Sequence, residues 1–90
     1  MAERLYTVEY LEIAEKSLLR LPKQIVKRVR DSIQALKIDP RPPGSKKLKG
    51  EGNKWRIRVG DYRVVYSIED DRLVILIIDV GHRKDIYRQV

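Results

Sequence analysis

The sequence predicts an α+β fold. An N-terminal strand leads into an antiparallel helical hairpin, packed on one face of a mostly antiparallel four-stranded sheet in the order β-α-α-β-β-β. Three observations predict it. Apolar residues recur at helical spacing between residues 10 and 36. From residue 54 onward the period drops to two, with bulky apolar residues alternating with cations. Two short polar links, Gly60-Asp61 and Asp70-Asp71, separate the later runs in the manner of hairpin turns.

Each element has its own justification. Residues 4–9 alternate and are rich in β-forming side chains, which predicts a first strand. Residues 10–20 change period: Leu11, Ala14, Leu18 and Leu21 line one helical face. Pro22 interrupts and suits the first turn of a second helix. There Ile25, Val29, Ile33 and Leu36 form a stripe with Val26 beside it, while Lys23, Lys27, Arg28, Arg30 and Asp31 mark the wet side. Asp39-Pro40 ends that helix. Residues 41–53, rich in Pro, Gly and Lys, predict one long irregular loop. Strands are predicted at 54–59, 62–69 and 72–80, the last apolar on both faces except for Asp79 and therefore interior. Only two helices are available, so one sheet face is covered and the other is expected to face solvent.

Ninety residues predict a single domain spanning 1–90 with a modest core. Cysteine is absent, which excludes disulfide frameworks and thiolate chemistry. The longest apolar run, residues 73–78, is too short to span a bilayer, and no signal-like segment opens the chain. A cytoplasmic protein without a membrane partner is the expectation. The net charge is +7, and it is unevenly placed. Residues 41–63 carry eight basic and two acidic groups, a local excess of +6 that favours a polyanion or an acidic protein as partner.

Strand alternation sorts those charges. Trp55, Ile57 and Val59 share one face with Tyr62, Val64, Tyr66 and Ile68 across the Gly60-Asp61 turn. Lys54, Arg56, Arg58 and Arg63 share the other, and Arg83 and Tyr87 follow the last strand. Guanidinium groups gathered in this way match the geometry of a phosphodiester. Trp55, Tyr62 and Tyr66 read as core packing. Tyr87 reads equally as a packing anchor or as a residue that stacks or positions within the site. Lys46, Lys47 and Lys49 read as a flexible electrostatic grip on RNA or as a solvated loop.

The Lys-Leu-Lys-Gly segment at 47–50, the Trp-Arg-Ile-Arg-Val-Gly-Asp-Tyr-Arg-Val-Val-Tyr hairpin at 55–66 and the Val-Gly-His-Arg-Lys-Asp-Ile-Tyr ending at 80–87 resemble the RelE/ParE toxin superfamily, and more narrowly its RelE branch. The resemblance covers essentially the whole chain. It implies the toxin of a type II toxin-antitoxin system, a ribosome-dependent mRNA endonuclease needing no metal or other cofactor. In that chemistry the mRNA 2′-OH attacks the adjacent phosphate in the ribosomal A site, leaving a 2′,3′-cyclic phosphate. It also implies a cognate antitoxin, RelB-like or another small acidic protein. The family's basic motif positions fall on Arg56, Arg58, Arg63 and Arg83, and its terminal aromatic on Tyr87. The best-known members carry Lys where this chain has Arg56 and Arg58. Arginine stays protonated, so Arg58 suits a phosphate clamp and not a base. His82, the only histidine, is the candidate for the acid/base role. The alternative is a ParE-like inhibitor of DNA gyrase, a binding module of the same fold without chemistry of its own.

Overall fold

The computed structural model describes residues 5–50 and 52–84. The elements run β1 (Thr7–Tyr10), α1 (Glu12–Leu19), α2 (Lys23–Ala35), β2 (Lys46–Lys47), β3 (Lys54–Val59), β4 (Tyr62–Glu69) and β5 (Val74–His82). The α+β class is as the sequence predicts. The sheet has five strands, in the order β1-β5-β4-β3-β2. β1 lies parallel to β5, and every other neighbouring pair is antiparallel. β5 sits between β1 and β4, the interior place that its two-sided apolar character requires.

The fifth strand corrects the reading of residues 41–53 as wholly irregular. Lys46 pairs with Arg56 and Lys47 with Trp55. Ser45 N–H donates to the Pro42 carbonyl (2.9 Å) and Leu48 N–H to the Lys54 carbonyl (2.9 Å), which folds the loop back along the β3 edge. Lysines at a sheet edge also discourage further strands from adding. A second correction concerns the β4–β5 link. It spans four residues, because Arg72 N–H closes a turn on the Glu69 carbonyl (3.3 Å) and Leu73 then takes a left-handed φ of 55°. β5 therefore begins at Val74 and runs through His82, two residues beyond the predicted end.

Ala14 and Leu18 of α1, and Val29, Ile33 and Leu36 at α2 and its C-cap, pack on Ile57, Val59, Val64, Tyr66, Ile75, Ile77 and Val80. These are alternate positions of the strands, apart from one register shift in β5 between Ile77 and Asp79, so both helices cover the same face. Leu11, predicted on that stripe, precedes α1 and stays exposed. The Tyr66 hydroxyl, fully buried, donates to the Pro40 carbonyl (2.7 Å) and pins the loop after α2 to the core. At the opposite end of the sheet from the Gly60 turn, Arg41 Nη2 donates to Asp70 Oδ2 (2.8 Å) and the Tyr6 hydroxyl to Asp70 Oδ1 (2.6 Å). The Arg41 guanidinium also lies 5.3 Å over the Trp55 ring. Among the described residues no helix is long and apolar enough to cross a membrane.

Candidate functional site

The pairing register turns the predicted list of cations into a surface. Arg58 of β3 stands directly opposite Arg63 of β4, and Arg63 opposite Gly81 of β5. Along the strands, the next row on the same face is Lys46, Arg56, Val65 and Asp79, contributed by β2, β3, β4 and β5. Directly opposed residues hold their Cβ atoms about 5 Å apart, and same-face positions along a strand repeat at about 7 Å. Four cations thus meet within the span of one phosphodiester and its neighbour. Lys54 lies at the margin of this face, opposite Ser67, and is exposed.

The surrounding geometry is not that of a solvated strand face. Arg56 is 8% exposed and Arg63 7%. Arg63 Nη1 donates to the carbonyls of Gly60 (3.2 Å) and Tyr62 (3.1 Å), which anchors its guanidinium at the hairpin turn. The Nε atoms of both arginines are buried without a hydrogen-bond partner among the described residues. The ion pairs among the described residues involve Lys16, Lys27, Arg30, Arg41 and Arg72, and none reaches Lys46, Arg56, Arg58 or Arg63. Burial raises the pKa of Asp79, opposed by the Val80 amide (2.8 Å) and the Ser17 hydroxyl. Cations buried without a carboxylate are costly, and it is the exposed Arg58 and Lys46 that open the array to an anionic ligand.

Of the other candidates, Arg83 is exposed directly after β5, its backbone N–H bonded to the Asp61 carbonyl (2.8 Å). That bond ties the end of the last strand to the hairpin tip, beside Arg58 and Arg63. His82 goes elsewhere. It pairs with Tyr62, on the helix side of the sheet, and its ring meets the Tyr62 ring edge-on at 5.6 Å and 86°. Its Nδ1 accepts from the Lys84 N–H (3.2 Å), which leaves Nε2 to carry the proton of the neutral ring. The structure therefore does not bring His82 into the arginine array. Lys46, predicted as a flexible grip, is part of the array through β2; Lys47 shares the Trp55 face and Lys49 is exposed in the loop beyond. Tyr87 lies outside the described residues. Sequence reasoning missed the cleft of about 270 Å³ beside Arg58, where the free end of the β3 edge faces Ser32, Ala35, Pro42, Pro43 and Gly44. The local cue in the sequence is Pro42-Pro43, both of which line the cleft.

A family profile described as "ParE toxin of type II toxin-antitoxin system, parDE" matches residues 8–87. Toxin RelG of Mycobacterium tuberculosis is 32% identical, over 93% of this chain and 98% of that protein. The chain belongs to the RelE/ParE superfamily of type II toxins. Solved structures agree at the level of the backbone. The RelE–RelB complex of Pyrococcus horikoshii OT3 contains a chain that is 32% identical, with a TM-score of 0.79, covering 90% of this chain and 98% of that one. The RelBE2 toxin-antitoxin complex of Mycobacterium tuberculosis contains another, 31% identical, also with a TM-score of 0.79, covering 90% and 94%. The arginine array is thus set on a toxin fold.

Proposed function

We propose that this toxin is a ribosome-dependent mRNA endonuclease of the RelE kind, working in the cytoplasm without a metal. The observation that carries the reading is the array of Lys46, Arg56, Arg58 and Arg63, which has no carboxylate partner among the described residues. In the reaction the 2′-oxygen bonds to phosphorus and the bond to the 5′-oxygen breaks. The extra negative charge of the transition state falls on the phosphoryl oxygens, where fixed guanidinium groups are most effective. Arg56, Arg58 and Arg63 hold those oxygens, and Lys46 the flanking phosphate. Arg83 stands by the departing 5′-oxygen, with Tyr87 as the positioning aromatic. Lys47, Lys49 and Lys54 add sequence-independent attraction to RNA. None of the arginines can accept the 2′-OH proton, so that transfer falls to the ribosome or to the substrate.

The partner proposed for the free protein is a small acidic antitoxin covering the cationic face, as the RelB chains accompany the RelE chains in the complexes above. The ParE description of the matching profile supports the second reading, a gyrase inhibitor. Expression without an antitoxin separates the two. Primer extension on cellular mRNA is expected to show cuts phased with codons inside translated regions. Intact mRNA accompanied by relaxed plasmid DNA would overturn the nuclease reading in favour of gyrase.

A further inference from the structure

The hairpin tip carries a cation from the other layer of the fold. Gly60 takes a φ of +60°, and a methyl group built on it would lie 3.7 Å from Arg28 Nη2 and 3.8 Å from Nη1. The α2 side chain therefore reaches over the turn whose carbonyl Arg63 holds from the sheet side (3.2 Å). The two guanidiniums flank one residue's backbone and lie within roughly 10 Å of each other. Of the other cations of α2, Lys27 pairs with Asp31 at 3.3 Å and Arg30 with Glu15, while Lys23, in the first turn and far from Gly60 along the helix, makes no ion pair among the described residues. Arg28 is exposed and makes no ion pair among the described residues, not even with Asp61 in the same turn.

Two like charges held this close, neither neutralised by a described carboxylate, repel each other in the free protein and are relieved by an anion lying across both. A single RNA strand seated on Arg58 and Arg63 and leaving the sheet at the hairpin tip places a neighbouring phosphate at Arg28. We propose that Arg28 is an RNA-contacting residue that carries the strand off the arginine array over Gly60, a contact made by the helical layer. The proposal rests on the RNA reading of the array.

The test is the salt dependence of binding to a single-stranded RNA oligonucleotide, 2′-O-methylated at every position so that no 2′-oxygen can attack. Losing one phosphate contact lowers the slope of log affinity against log salt by about 0.7 for a single strand. Arg28→Gln is expected to show that loss, Arg28→Lys to retain most of the slope, and Lys27→Gln, one residue away and already paired, to leave it unchanged. An unchanged slope in Arg28→Gln, with a reduced slope in Arg58→Gln, overturns the role of Arg28 and keeps the array. Equal losses in Arg28→Gln and Lys27→Gln overturn it too, because they report a diffuse field. Unchanged slopes in both Arg28→Gln and Arg58→Gln, or no binding by the unsubstituted protein, remove the RNA reading with it.

Discussion

Arg56 and Arg63 show how a site can work against its own fold. The alternating pattern places them on the face turned away from the helices, where the sequence predicts solvated side chains. They are instead almost fully buried, each with an unmet Nε donor among the described residues. Replacing such a charge by an apolar side chain of similar length is often neutral or stabilising, by about 1–4 kcal/mol in favourable cases. Removing one fixed donor from a transition state lowers the rate by about 10²–10³-fold. Arg56→Met is therefore expected to keep or raise the melting temperature while lowering cleavage on programmed ribosomes about 100-fold. A variant that melts lower and cuts normally would show that Arg56 serves packing alone. His82 yields the opposite expectation. Its ring lies against Tyr62 on the far side of the sheet from Arg58 and Arg63, so His82→Gln is expected to leave the shape of the single-turnover pH profile unchanged. Loss of one limb of that profile would place the histidine in proton transfer after all.

At the scale of elements, the β3–β4 hairpin organises the site. Its two-residue turn has positive φ only at Gly60, the conformation in which an L side chain is strained by about 1–2 kcal/mol. The Gly60 carbonyl accepts from Arg63, and the Asp61 carbonyl accepts from the Arg83 backbone, so the tip fixes two candidate residues at once. Gly60→Ala should lower the melting temperature by about 4–8 °C per kcal/mol of that strain, by calorimetry. It should also reduce cleavage in the fraction that remains folded, because a strained turn shifts the Gly60 carbonyl that helps hold Arg63. Normal activity with a lowered melting temperature would separate the turn from the chemistry. The β2 pairing has a similar effect at lower cost: two ladder residues suffice to bring Lys46 beside Arg56.

For the whole molecule, pH acts through Asp70, Asp79 and Tyr66. Hydrogen bonds from Arg41 and then from Tyr6 hold Asp70 below its ordinary value of 3.8. Its unfolded state binds the proton first, so this contribution is full above about pH 4 and disappears as pH falls through the lower folded value. Burial moves Asp79 the other way: the folded state favours the neutral acid, and stability is lost as pH rises past its ordinary value. Burial also raises Tyr66 to about 12 from 10.0, so the unfolded chain ionises first and stability declines across that alkaline window. Melting temperatures across pH are expected to show Asp70→Asn flattening the acid limb and Asp79→Asn raising the neutral plateau. An acid limb unchanged in Asp70→Asn would mean that the Arg41–Asp70–Tyr6 cluster does not contribute to stability.

Local order was legible in the residues themselves. The switch from helical spacing to strict alternation located α1, α2, β3 and β4, with the bounds of β3 and β4 read to the residue. Alternation alone also placed Arg56, Arg58 and Arg63 on one face, and the Gly60-Asp61 link joined their strands. These are properties of consecutive residues, set by backbone geometry within a few positions. Other features depended on what each residue met from a distance. The strand at Lys46-Lys47 exists because β3 offers it an edge, although its composition reads as loop. Leu73 turns left-handed to set the register of β5, and the extension of β5 to His82 sends the imidazole to the Tyr62 side. The burial of Arg56 and Arg63, and the reach of Arg28 over Gly60, likewise arise between strands and between layers. Consecutive residues thus dictate which side chains can share a face. Which of them meet depends on cross-strand register and layer packing, because these are contacts between segments far apart in the chain, on which local periodicity is silent.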